Sequence, residues 1–276
     1  MRTDLPRDSG HSRLDYRVPE IDHGYGERVH VLSDPHIRTL LARLCDRRTG
    51  QPEVNHLIHE IYRGMLAIAI GAEFPRERVT FETRMIEHTP AGVFSGEVVS
   101  SHTPAVTVAI ARAGILPSHI CYEQLLHFLE PSRVRQDYLH MGRKLDQEGR
   151  VLGADLNAAK IGGDIDGAVV IIPDPMAATG SSLCRAIQHY KKTVEGTPLG
   201  FLAVHLIATP EHLRRVMEEH PDTVVYAARI DRGLSPPGVL ADMPGKQWEL
   251  EVGLDDQGYI VPGAGGLGEI LNNALV

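Results

Sequence analysis

The segment Val169-Val170-Ile171-Ile172-Pro173 is an unbroken apolar run that ends on Asp174, and five residues later the chain reads Thr179-Gly180-Ser181-Ser182. A run of this kind, with no polar alternation, suits a strand covered on both faces, as in a parallel sheet. It is followed by a short loop and an amphipathic pattern, Leu183, Ala186, Ile187 and Tyr190, which marks a helix. A loop at that edge offers backbone N–H groups, hydroxyls and a positive helix end to an anion, with one carboxylate beside them. That combination suits a phosphorylated sugar. A Walker loop is excluded, because it needs Lys directly before Ser or Thr and Gly180 stands there. Spacing alone fits an ordinary capped helix start equally well.

The same alternation recurs along the chain. Ser33-Asp34-Pro35 opens a helix whose apolar face is Ile37, Leu40, Leu41 and Leu44, and a second helix runs from about Glu53 to Gly71. Val79, Phe81 and Met85 read as a half-buried strand, and Pro90-Ala91-Gly92 turns the chain into another. Strands over Ala105–Ile110, Val134–Met141, Leu199–Ala208 and Thr223–Ala228 follow, with helices after Gly114 and Thr209. The expected fold is therefore α/β, a mostly parallel central sheet with helices on both faces. Ligands of such sheets bind beyond the carboxyl ends of the strands, here the loops after Ile110, Met141 and Pro173. Residues 1–27 are polar and without periodicity and read as a flexible leader. Residues 28–276 read as a single domain.

Composition narrows the partners. The 276 residues carry a formal net charge of −8, which argues against nucleic acid or an acidic membrane as partner. Cys45, Cys121 and Cys184 have no metal-ligand spacing and are too few for a disulfide framework, as in a reduced cytoplasmic protein. No apolar run reaches membrane-spanning length, and Met1 to Gly10 lacks a signal-peptide core. His56 and His59 share a helix face without a third ligand, so no protein-held metal is expected.

Ile172-Pro173-Asp174-Pro175-Met176-Ala177-Ala178-Thr179-Gly180-Ser181-Ser182 resembles the phosphoribosyl pyrophosphate (PRPP) loop of type I phosphoribosyltransferases, in the Asp-Pro-Met-x-Ala-Thr-Gly form of the uracil phosphoribosyltransferases. Gly258-Tyr259-Ile260-Val261-Pro262-Gly263-Ala264-Gly265 is similar to that family's uracil-binding segment, and Ala111-Arg112-Ala113-Gly114 to its pyrophosphate-contacting loop. Ala208-Thr209-Pro210-Glu211, His220-Pro221-Asp222 and Ile230-Asp231-Arg232-Gly233-Leu234 fall between them in the family's order. The resemblance covers about residues 28–276.

It implies transfer of 5-phosphoribosyl from PRPP to uracil, giving UMP and diphosphate, by a glycosyltransferase of pyrimidine salvage. Asp174 and Arg112 are the implied catalytic residues, Asp174 on the ribose hydroxyls and Arg112 on the pyrophosphate. Arg112, Arg143 and the run Asp174, Pro175, Met176, Ala177, Ala178, Thr179, Gly180, Ser181 and Ser182 are the implied PRPP site. Tyr259, Ile260, Gly265, Gly266 and Leu267 are the implied uracil site. The implied cofactor is Mg²⁺ carried on PRPP, and the implied assembly a homodimer or higher homo-oligomer. The resemblance adds a small hood built from N-terminal and C-terminal segments.

Two departures stand out. The family continues Pro-Gly-x-Gly-Asp-x-Gly-Asp, whereas this chain has Gly266 at the first aspartate and Glu269 at the second. A carboxylate at the first place is absent unless Glu269 reaches back. An insertion occupies about residues 235–257, where Trp248, Leu250 and Val252 alternate with Gln247, Glu249 and Glu251 as in a half-buried strand or hairpin arm. These departures leave open a different base, or a catalytically weak protein that senses PRPP or a nucleotide.

Overall fold

The computed structural model describes residue 13, residues 15–145 and residues 151–274, with the side chains of 143–145 and 151–154 outside that description. In chain order the elements are β1 (Val29–Val31), α1 (Pro35–Leu44), α2 (Glu53–Glu73), β2 (Arg76–Glu82), β3 (Val93–Val99), β4 (Ala105–Ala111), α3 (Ile115–Leu125), β5 (Val134–Leu145) and β6 (Val151–Lys160). There follow β7 (Val169–Pro173), β8 (Met176–Ala177), α4 (Ser181–Thr193), β9 (Gly200–Ala208), α5 (Pro210–Glu219), β10 (Val224–Ile230), α6 (Pro237–Ala241) and α7 (Leu267–Ile270).

The central sheet runs β1-β10-β9-β7-β4-β5-β6, parallel throughout except for the antiparallel β5–β6 pair, and β8 adds to β9. Alternate residues of β7 enter opposite cores. Val169 and Ile171 pack with α1, α2 and α3, while Val170 and Ile172 pack with α4 and α5. Both faces are therefore covered, and the expected fold class holds. β2 and β3 form a separate hairpin whose Phe81 and Phe94 rings lie 5.1 Å apart on an exposed face.

Three local expectations are corrected. β5 does not end in a loop after Met141; it continues to Leu145 and pairs with β6, because the polar side chains there are tolerated on an edge hairpin. The leader reading fails for the described part of residues 1–27. Ile21 donates its N–H to the Val31 carbonyl, Gly24 donates to Pro244, and Tyr25 is buried.

The insertion is not a strand. It contains α6 and a 3-10 turn over Trp248–Leu250, and the expected alternation reverses after Glu249, with Leu250 and Val252 exposed and Glu251 buried. The cause is a polar socket. Glu251 accepts from Tyr25 Oη (2.6 Å), Arg232 Nη1 (2.8 Å) and the Gly245 N–H (2.8 Å). Trp248 donates Nε1–H to the Pro210 carbonyl (3.0 Å) and meets Tyr25 edge-on. The segment around Gly24 and Tyr25 thus packs against residues 244–251.

Candidate active site

The loop after β7 is pinned to β9 by its backbone. Ile207 N–H donates to Pro175 O, Thr209 N–H to Ala177 O, and the Thr209 hydroxyl to Ala178 O (2.6 Å). Gly180 then takes a φ of +76°, and a side chain there would meet the His212 carbonyl, so glycine is required at the turn into α4. Thr179 Oγ1 lies 2.7 Å from Ser181 Oγ, at the positive end of α4. Arg215 on α5 reaches the same hydroxyl, donating Nη1–H to Ser181 Oγ (2.8 Å).

Asp174 closes β7. Its carboxylate accepts the Met176 N–H (3.3 Å), and burial pushes its carboxyl up to about 6. Behind it His205 donates Nδ1–H to the Asp174 carbonyl (2.8 Å) and packs against His212 with ring centroids 4.7 Å apart. Burial pushes His205 down to about 4 and His212 well below the usual imidazole range, so both are neutral supports.

A cavity of about 450 Å³ lies over these carboxyl ends. Arg112, Asp174, Met176, Ala178, Thr179, Ser181 and Ser182 line one side of it, and Tyr259, Ile260, Gly265, Gly266 and Leu267 belong to the segment that covers it. Both expected sets of residues therefore meet in one space. Pro175, Ala177 and Gly180 do not face it; they shape the loop through the β9 bonds and the turn. Arg143 lies on β5, backbone-paired with Ala154, but its side chain lies outside the described residues.

Residues that sequence reading did not assign also line the space: Met141, Gly142, Gln257 and Glu269. Gln257 carried no motif signal, and Gly142 becomes visible only once β5 is known to continue.

The covering segment is held from below. Asp231, buried after β10, accepts the Gly263 N–H on Oδ2 (2.7 Å) and is bracketed by Arg229, which also donates to Gly263 O (3.2 Å). Glu211 at the start of α5 accepts the N–H groups of Gly253 (2.9 Å) and Leu254 (3.3 Å). The motif Ile230-Asp231-Arg232 thus acts as a clamp for the turn that faces the cavity. The chemistry available is a hydroxyl- and dipole-lined anion site, a guanidinium at the far wall and a backbone-rich cover with Tyr259 exposed at the mouth.

The family model for uracil phosphoribosyltransferase matches residues 31–245. A uracil phosphoribosyltransferase from Dictyoglomus thermophilum is 31% identical over 244 residues, covering 88% of this chain and 98% of its own. The protein of the same name from Shouchella clausii is 29% identical, covering 88% of this chain and 97% of its own. Among solved structures, the AQ2163 protein from Aquifex aeolicus has the same fold, with a TM-score of 0.66 at 22% identity over 90% of this chain and 99% of that one. With the family matched over most of its length, the chain belongs to the uracil phosphoribosyltransferase family.

Proposed function

We propose that the protein transfers the 5-phosphoribosyl group from PRPP to uracil, releasing diphosphate and giving UMP. The observation that carries this reading is the single cavity in which the 174–182 loop, Arg112 and the Tyr259–Leu267 segment face one another. The 5′-phosphate rests on Thr179, Ser181 and Ser182 at the start of α4, where each charge-assisted contact contributes about 1.5–3 kcal/mol. Asp174 takes the ribose hydroxyls, and Arg112 takes the diphosphate.

Displacement at C1 of the ribose develops oxocarbenium character, so the protein's work is to hold sugar and leaving group in place and offset charge as it grows. Arg112 does this for the leaving group. Uracil is read by backbone groups of Ile260, Gly265, Gly266 and Leu267, with the ring beside Tyr259, and no titrating side chain is required there. The site fits a metal-complexed diphosphate: among the described residues the Arg112 side chain has no protein hydrogen bond or ion pair, and glycines 265, 266 and 268 leave room beside it. Mg²⁺, when bound on PRPP, neutralises part of the leaving group's charge.

The same reading places the protein in the cytoplasm, in keeping with its unpaired cysteines, two of them buried. It also makes the protein a homodimer or higher oligomer, supported by the exposed Phe81 and Phe94 of the β2–β3 hairpin and Met85 in the turn that joins its strands.

The test is an assay of purified protein with Mg²⁺, PRPP and a panel of labelled bases. UMP from uracil, at least about a hundredfold ahead of cytosine and the purines, is the expected result. Turnover of another base in its place would replace uracil in this reading, and PRPP binding without turnover of any base would end it.

A further inference from the structure

The cavity holds a guanidinium and a carboxylate that do not use one another. Arg112 and Glu269 both line it, and among the described residues neither side chain makes a hydrogen bond or ion pair with protein. Charged groups left unpaired inside a concave site have their complement in the ligand.

Glu269 reaches the cavity by folding back over its own turn. Its backbone N–H donates to the Gly266 carbonyl (3.0 Å). Its Oε2 lies 2.7 Å from the point where a Cβ at position 266 would stand. Gly266 has φ −78° and ψ 71°, a backbone conformation that does not demand glycine. A side chain at 266 would displace the end of the Glu269 side chain, so glycine there leaves the carboxylate its present place. The same turn abuts the Arg112 loop, since a Cβ built on Gly268 would touch Ala113 Cβ at 3.4 Å. The unpaired carboxylate and the unpaired guanidinium therefore belong to adjoining stretches of wall.

A carboxylate beside a diphosphate is repulsive unless a cation lies between them. We propose that Glu269 faces the metal-bearing side of the diphosphate and makes the site selective for the Mg²⁺-complexed donor over the metal-free one. This rests on the phosphoribosyl transfer reading above. Asp174 is poorly placed for this role: it lies at the end of β7, largely buried and tied to the Met176 N–H. Gly266 and Glu269 then form one device, in which the small residue makes room for the acid of the other.

The experiment measures binding of PRPP and of inorganic diphosphate to the intact protein by calorimetry, with and without Mg²⁺. The wild type binds both more tightly with Mg²⁺. In Glu269→Gln, metal-free binding tightens and Mg²⁺-dependent binding weakens, so the ratio of the two affinities falls at least about tenfold, equivalent to about 1.4 kcal/mol. In Gly266→Asp/Glu269→Ala, residue 269 vacates that volume, a carboxylate returns to it from residue 266, and the ratio recovers. Among the described residues the Glu269 side chain has no protein partner to lose, and an unchanged thermal midpoint in both variants excludes misfolding. An unchanged ratio in Glu269→Gln overturns the proposal, as does a lowered ratio that Gly266→Asp leaves unrestored. If wild-type protein makes UMP from uracil while Glu269→Gln binds as wild type, this inference alone fails. If no base is turned over yet the ratio falls as expected, the transfer reading fails and Glu269 keeps its role.

Discussion

Arg215 on α5 donates Nη1–H to the Ser181 hydroxyl at the start of α4 (2.8 Å), while Glu219, one turn further along α5, holds its Nε (2.7 Å). The 174–182 loop is thus braced by a side chain that no motif marks, 34 residues away in sequence. The bond fixes the Ser181 hydroxyl and sets a positive charge behind the anion site. Replacement by Met keeps the aliphatic stem and removes both effects. Arg215→Met is expected to raise the KM for PRPP about tenfold, the equivalent of one charge-assisted hydrogen bond, with little change in kcat. Steady-state kinetics at saturating uracil check this, and a fall in kcat with KM unchanged would place Arg215 in the chemical step.

Asp174 gives a pH signature. Burial pushes its carboxyl up to about 6, so the free enzyme loses the ionised form, and kcat/KM for PRPP, as pH falls below that value. Stability moves the other way. With the folded value raised, the native state binds the extra proton between the unfolded pKa near 4 and about 6, so this group costs stability as pH rises through that window and a constant amount above it. Asp174→Asn is therefore expected to be more stable than the wild type at pH 8 by roughly 1–2 kcal/mol, discounted for the edge that faces the cavity, while losing PRPP binding. The gap closes by about pH 4. His205 acts with the opposite sign: its lowered folded pKa favours folding above the usual imidazole value and is lost on acidification, so the variant's stability falls more steeply below pH 6.5 than that of the wild type. Thermal unfolding across pH 4 to 8 reads both trends.

What the sequence makes legible is the part that repeats with a period or sits in a contiguous motif. The doubly apolar strands β4, β7 and β9 announce a buried parallel sheet, and the Asp174–Ser182 run announces its own loop because all of its chemistry lies within nine residues. Long-range polar pairing leaves no such trace. Glu251 alternates with apolar neighbours and reads as a solvent-facing residue, yet it is buried because Arg232 and Tyr25 arrive from elsewhere in the chain. Val29–Val31 is too short to separate from a polar leader, and only its register with β10 makes it a strand. Asp231 falls in a recognisable motif, but its task of holding the Gly263 N–H depends on a contact across 32 residues.

The Glu251 socket makes the N-terminal segment part of the folded unit. Breaking a buried pair by removing one partner costs roughly 3–5 kcal/mol, because the other charge stays behind. Arg232 keeps its bonds to the carbonyls of Val239 and Asp242, so Glu251→Ala is expected near the lower end, about 3 kcal/mol. For a chain of this size that corresponds to a fall in Tm of about 6–12 °C. Tyr25→Phe removes one hydrogen bond and is expected to cost about 1 kcal/mol. Calorimetric unfolding checks the order of the two, and a Tyr25→Phe effect as large as that of Glu251→Ala would show that the hydroxyl, and not the ion pair, anchors the segment.

Asp231 separates the two halves of the cavity. Its carboxylate holds Gly263, whose φ of +63° turns the chain from Ile260 toward Gly265, whereas the 174–182 loop hangs from β9 by other bonds. Asp231→Asn keeps an acceptor for the Gly263 N–H but weakens the Arg229 bracket. Asp231→Ala leaves that N–H unpaired and, among the described residues, Arg229 with its bonds to Cys45 and the Gly263 carbonyl. The Gly263 turn then loses its fixed position while the 174–182 loop does not. Asp231→Ala is expected to raise the KM for uracil roughly ten- to a hundredfold and to leave PRPP binding within about twofold of wild type, with Asp231→Asn between them. Kinetics with uracil varied, paired with PRPP calorimetry, decide it. Equal loss on both substrates would mean that Asp231 supports the fold as a whole, and loss on PRPP alone would move the Gly263 turn to the donor side of the cavity.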